Sequence, residues 1–371
     1  MTKTQFHFDH VGSYLRPQAL KEAREQFAKG DISKEELLAV QDKLVKELVH
    51  HEVENGLEVV SDGEFGRSWW HLDFLWELTG FEAYLQEDSY KFHGAKTRTT
   101  NVRLNGKVAE NPNHPFYRDF EYLKSITPEG VTPKVTIPSP SLVINRDHRS
   151  DLYADYYDSW TDFLDGLAQA YQDTIKHFYD LGARYVQLDD TTWAYLIQQL
   201  EDHKDQPEER RVFEKIAEDD VYVINKVLDG LPEDLTVATH VCRGNFKSTY
   251  LFEGGYHTIS KYLGQLNYDI FFLEYDDERS GDFAPLVDIW NGRENVELVL
   301  GVITSKDPQL EDVDAIVARI QEAAQLVPLK NLGISTQCGF ASTEEGNILT
   351  EEDEWKKLRL IKTITDKVWT S

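Results

Sequence analysis

The sequence predicts an α/β fold, and within that class a (β/α)8 TIM barrel, on three observations. Short β-branched runs alternate with longer amphipathic stretches, the pattern of parallel strands covered by helices. There are eight such runs. Polar, chemically able residues gather at the carboxyl ends of the runs, where barrels of this kind hold their sites.

In chain order, strands are expected at Asp9 to Tyr14, Leu57 to Gly63, Lys134 to Pro140, Tyr185 to Asp190, Leu235 to Arg243, Ile270 to Asp276, Glu297 to Thr304 and Leu332 to Phe340. Ser33-Lys34-Glu35-Glu36 is a capping box that opens a helix running to the Asn55-Gly56 stop. Tyr156 to Leu181 carries Phe163, Leu167, Tyr171, Ile175 and Phe178 at helical spacing and ends at Gly182. Thr350-Glu351-Glu352-Asp353 resembles a cap for the last helix. One stretch breaks the rhythm. Residues 75–133 contain Tyr90-Lys91-Phe92-His93 and Thr99 to Lys107, which alternate and are expected to turn at Asn105-Gly106 as a β-hairpin. That stretch is too short to bury much of a core. It reads as an insertion between the second and third strands of a single domain, residues 1–371.

Charge narrows the function. Lys plus Arg number 39 against 66 Asp plus Glu, a net of −27, so a phosphate backbone or an anionic membrane is repelled over most of the surface. Nucleic acid and membrane are not expected partners. The amino terminus lacks the apolar core of a signal peptide, and no run approaches the roughly 20 apolar residues of a membrane span. A cytoplasmic location is expected, where two cysteines stay reduced.

Those two, Cys242 and Cys338, each end a run that reads as a buried strand. In His240-Val241-Cys242 the imidazole and the thiol are two residues apart, and alternate residues of a strand share a face. Both can aim into one cavity as ligands of the kind zinc uses. Glu274 closes the apolar run Ile270 to Leu273, and a buried carboxylate needs a partner, for which a cation serves. Blander readings stand beside these. A cysteine is often a small buried hydrophobe, and Glu274 can be a strand-end acid in solvent.

His240-x-Cys242 followed by Arg243-Gly244-Asn245, Glu274 after an apolar strand, and Cys338-Gly339 in the last strand resemble a known ligand set in the same order. It is that of the cobalamin-independent methionine synthases, in their carboxyl-terminal catalytic barrel. The likeness spans nearly the whole chain. With one barrel rather than two, the chain is similar to the short, core-only members. The resemblance implies Zn2+ held by His240, Cys242, Glu274 and Cys338, with Ser13, Glu64 and Asp189 around the amino-acid end of homocysteine. Charge agrees in kind, since an ammonium wants carboxylates and an α-carboxylate suits a hydroxyl and backbone N–H at a strand-to-loop turn. The implied reaction is methyl transfer to the homocysteine sulfur, forming methionine. The donor would be methyltetrahydrofolate or a methylated corrinoid protein. Glu274, the hard oxygen ligand, is expected to loosen as the thiol enters.

Where the long members carry a tryptophan after strand three to stack on the pterin, this chain has Thr136-Ile137-Pro138-Ser139-Pro140. Where they carry a catalytic histidine after strand seven, it has Thr304-Ser305-Lys306. Protonating the leaving nitrogen of a methylated pterin needs an acid, and His10, His71 and Asp190 are candidates to replace it. Trp69, Trp70, Trp76 and Trp193 are expected near the rim, where they can cover a flat donor. Arg16, Arg67, Arg243 and Lys247 either hold a polyglutamate tail or are solvated or paired with carboxylates. Two other functions compete. One is zinc-thiolate alkyl transfer with a different thiol or alkyl donor. The other is a non-catalytic thiol- or metal-binding barrel, which has no need of Glu274 beside two thiolates.

Overall fold

The computed structural model describes residues 6–85, 91–92, 95–96, 99–145, 153–246, 248 and 251–369. In chain order its strands are β1 Val59–Val60, β2 Thr79–Leu85, β3 Lys91–Phe92, β4 Ala95–Lys96, β5 Thr100–Ala109, β6 Thr132–Pro133, β7 Val135–Pro138, β8 Tyr185–Asp190, β9 Thr236–Val241, β10 Ile270–Glu274, β11 Glu297–Ile303 and β12 Leu332–Thr336. From β7 to β12 each strand pairs in parallel with the next, giving a six-stranded sheet in sequence order. β1 pairs in parallel with β6, and Lys134 N–H donates to the Val60 carbonyl at 2.8 Å where β6 runs on into β7. Closure comes through the first run. Phe8 bridges Ile334 in parallel, and the Tyr14 N–H reaches the Gly63 carbonyl at 3.1 Å. The barrel is therefore the expected (β/α)8 fold. Its first strand makes its ladder contact at residues 7–9, mostly ahead of the expected Asp9 to Tyr14, within which Gly12 takes a φ of 130° that is not a strand conformation.

Inside the barrel, Phe6, Val59, Tyr185, Phe272 and Val299 form a small apolar cluster. Lys134 sits among them, fully buried, 3.0 Å from Asp9 and 3.0 Å from the Gln187 side-chain oxygen, and it also donates to the His10 carbonyl. Its ammonium lies 5.0 Å from the Phe272 ring centroid. A far larger cluster fills the space between strands and helices.

The capping box is present. Ser33 accepts from Glu36 N–H at 3.2 Å and Glu36 accepts from Ser33 N–H at 2.7 Å, opening the helix Lys34–Glu54. The helix expected from Tyr156 begins instead at Trp160, because Ser159 caps it by accepting from Asp162 N–H. The insertion contains an antiparallel pair, β2 with β5. Asn105-Gly106 is not its turn, however, but lies inside β5. Register jumps there from Phe81 opposite Leu104 to Thr79 opposite Ala109, and Gly80 takes a φ of 90° against the Lys107 carbonyl. The flexible dipeptide serves a bulge rather than a hairpin loop. Tyr90 and His93 lie outside the described residues. Among the described residues no helix is long and apolar enough to cross a membrane.

Candidate active site at the strand ends

β9 carries His240 one residue before its end, and the Cys242 N–H bonds to the Asp190 carbonyl at 2.8 Å, holding the thiol against β8. Glu274 is the last residue of β10, its N–H bonded to the Tyr256 hydroxyl at 2.8 Å and one carboxylate oxygen held by Arg243 N–H at 3.2 Å. Cys338 follows β12. Four ligand atoms, one each from His240, Cys242, Glu274 and Cys338, lie within 4.8 Å of one another, all buried. The two sulfurs are 3.8 Å apart. With zinc–sulfur bonds of about 2.3 Å, a tetrahedron has an edge of about 3.8 Å, so this donor set fits zinc in chemistry and in spacing.

The two thiols are pushed apart: hydrogen bonding to Cys338 brings Cys242 below its ordinary value, and hydrogen bonding to Cys242, with burial, takes Cys338 well above. Burial would lower His240, but Asp189 and Glu274 more than reverse this. Asp189 and His240 are register partners across β8 and β9, which sets the Asp189 carboxylate 3.3 Å from His240 Nδ1. Nε2 faces Glu274 at 3.4 Å and the Gln337 carbonyl at 3.2 Å. Asp189 favours the tautomer with the proton on Nδ1, which leaves Nε2, aimed at the cluster, as the atom that would ligate a metal. Lys134 fixes that choice from below. Its bond to the Gln187 oxygen turns the amide nitrogen toward the same Asp189 oxygen at 2.8 Å. Gln187 and Asp189 share a strand face, a signal present in the sequence but not used there.

Ser13 lies against Gly339, the residue after Cys338, packed so closely that a Cβ there would come within 1.9 Å of its hydroxyl. Glu64 has a left-handed backbone, φ 60°, just after Gly63. Thr136 and Arg67 both approach its Oε1, at 3.1 and 3.3 Å, while the buried Oε2 has no hydrogen-bond partner. Burial, helped by the nearby Asp189 and Asp62 charges and opposed by Arg67 and Arg16, pushes Glu64 up to about 7.

A cavity of about 240 Å³ opens beside the cluster, walled by Trp69, Trp70, His71, Tyr195, Phe246 and Phe252. Of the seven strand-end residues only Cys242 lines it, and the described lining contains no Lys, Arg, Asp or Glu. Two of the three candidate acids lie elsewhere. His10 Nε2 is 3.5 Å from Glu52, and Asp190 is held by the Ser141 hydroxyl at 2.6 Å and the Thr192 N–H at 2.8 Å. Trp193 is wholly buried and Trp76 packs on the core, so neither covers a donor. Ser305 is buried against the Gln337 side chain, and Lys306 pairs with Asp276. Arg16, Arg67 and Arg243 are all buried. Arg16 donates to the Tyr14 and Ala341 carbonyls, Arg67 to Glu64 and the Thr136 carbonyl, and Arg243 to the Arg279 carbonyl beside the Tyr256 ring. Lys247 lies outside the described residues.

The loop bearing Trp69 to His71 is stitched to the loop after Cys338. Trp69 bridges Thr343, Trp70 N–H bonds the Ser342 carbonyl at 3.0 Å, and Glu344 N–H bonds the Ser68 carbonyl at 3.1 Å. Asp73 braces it by accepting from Ser68 N–H, the Ser68 hydroxyl and Trp69 N–H at 2.9, 3.0 and 2.8 Å.

A (β/α)8 barrel with two thiols, an imidazole and a carboxylate converging at its strand ends has the architecture of a thiolate-centred barrel enzyme. The chain belongs to the cobalamin-independent synthase family, whose catalytic-domain model matches residues 7–352. It is 41% identical over 375 residues to the uncharacterized Bacillus subtilis protein YxjH, covering 99% of this chain and 96% of that one. It is 25% identical over 335 residues to a methionine synthase of Pyrococcus horikoshii, covering 89% and 85% respectively. A crystal structure of a putative vitamin-B12-independent methionine synthase from Listeria monocytogenes superposes with a TM-score of 0.78 at 36% identity, over 100% of this chain and 99% of that one. The protein is thus a methionine-synthase-like barrel of a methyltransferase family.

Proposed function

We propose that this protein is a zinc-dependent S-methyltransferase of the cytoplasm that moves a methyl group onto the sulfur of homocysteine, forming methionine. The observation that carries the reading is the convergence of four buried ligand atoms within 4.8 Å, two of them thiol sulfurs. Zinc, when bound, deprotonates a coordinated thiol, so homocysteine would react as a thiolate at neutral pH. Asp189 orients His240, and the unpartnered Oε2 of Glu64 would take the substrate ammonium in a charge-assisted bond. The Ser13 hydroxyl would receive the α-carboxylate next to Cys338. Methyltetrahydrofolate is the donor that the cavity supports best. Its space of about 240 Å³ between aromatic walls suits a flat ring and is small for a corrin, whereas a methylated corrinoid protein would have to present its methyl from outside.

The test is metal analysis of the purified protein, then methionine formation from L-homocysteine with methyltetrahydrofolate, in mono- and polyglutamyl forms, and with methylcobalamin. About one zinc per chain is expected, lost together with activity in Cys242→Ser and Cys338→Ser. A zinc-loaded protein that methylates homocysteine from neither of these donors nor from methyl iodide sinks the reading.

A further inference from the structure

Methyl transfer from nitrogen needs a proton at the far end of the reaction. As the S–CH3 bond forms, the C–N bond breaks, its electron pair stays on nitrogen, and that nitrogen leaves readily only if it is protonated. Among the described residues lining the cavity, only Cys242 and His71 have an ordinary pKa below 9, and Cys242 belongs to the ligand cluster. We infer that His71 is the general acid of this barrel, a conclusion that rests on the homocysteine methyltransferase reading.

The surroundings of His71 suit the task. The ring is only 4% exposed, and its centroid lies 4.4 Å from that of Trp70 and 5.6 Å from that of Trp69. A flat donor entering this cavity therefore meets aromatic faces and an imidazole on the same wall. The Trp69 to His71 loop is joined to residues 342–344, which follow Cys338, so the acid and the sulfur cluster are held in one frame. In the step, the thiolate sulfur supplies the electron pair for the new S–C bond. The His71 imidazolium passes its proton to the leaving nitrogen and ends neutral, to be reprotonated from water.

The experiment uses the zinc-loaded full chain as wild type, His71→Gln and His71→Asn, each with two methyl sources. Monoglutamyl methyltetrahydrofolate has a leaving nitrogen that needs a proton. Methyl iodide has a leaving group that needs none. Both variants are expected to lose about 100-fold or more in folate-dependent turnover, and to keep the methyl iodide rate within about threefold. Zinc content and the melting shift induced by homocysteine should be unchanged, which also shows that the variants fold. A parallel fall with both donors, or an unchanged folate rate, overturns the role of His71. A wild type that methylates homocysteine from methyl iodide but never from the folate overturns His71 and leaves the homocysteine reading standing. Inertness of the wild type to both of these and to methylcobalamin overturns that reading itself.

Discussion

Glu64 is the residue held furthest from its own preferences. Its backbone is left-handed, its carboxyl is buried, and one oxygen has no partner in the protein. Its pKa of about 7 in the fold lies above the ordinary 4.5, so ionising Glu64 costs nothing in stability below pH 4.5, progressively more between 4.5 and 7, and the full amount above 7. Glu64→Gln is therefore expected to raise unfolding free energy at pH 8, by up to about 3 kcal/mol. Little gain is expected at pH 5, and urea denaturation at the two pH values checks both. The same change should raise KM for homocysteine about 10- to 100-fold at pH 8, by removing a charged acceptor. An unchanged KM would exclude Glu64 from substrate binding. Glu64 stood out in the sequence only through the family resemblance, and its strain and lone oxygen could not be read there, because they depend on Thr136 and Arg67 having taken the other oxygen. His240, Cys242, Glu274 and Cys338 were legible for a stronger reason. Strand alternation is a local rule, and thiols are rare enough in this chain for two at strand ends to stand out.

Among the elements, the short loop from Ser68 to His71 matters more than its length suggests. Three hydrogen bonds to Asp73 give it shape and three backbone contacts fasten it to residues 342–344. Asp73→Ala should leave zinc content and KM for homocysteine unchanged while lowering kcat about tenfold, since a misplacement far from the chemistry is felt at the reacting atoms. Zinc analysis with steady-state kinetics separates this from collapse of the metal cluster. Nothing in Trp69-Trp70-His71 announced where the loop would dock, because its partners come from nearly the other end of the chain. The same limit moved the first strand and misplaced the insertion's turn. Asn105-Gly106 has the composition of a hairpin loop, and only its pairing with Gly80 reveals a bulge.

At the scale of the whole molecule, alternating strands and helices were enough to expect eight barrel positions, while the polar chain through the barrel was hidden. Lys134, Gln187, Asp189 and His240 lie on three neighbouring strands, and only the register joins them. Lys134→Met should destabilise the fold by about 3–5 kcal/mol, because Asp9 would remain buried without its counter-charge. Chemical denaturation measures this, and a change below about 1 kcal/mol would mean that the Lys134–Asp9 pair contributes little to the fold. The Lys134 plug has one more consequence. Its ammonium lies 5.3 Å from the Tyr185 ring centroid and 5.0 Å from that of Phe272, and Phe6 stacks on Tyr185, so these described side chains fill the interior beneath the sulfur cluster. A molecule bound for the four ligand atoms is therefore expected to come from the strand-end side, past the aromatic cavity that Cys242 lines.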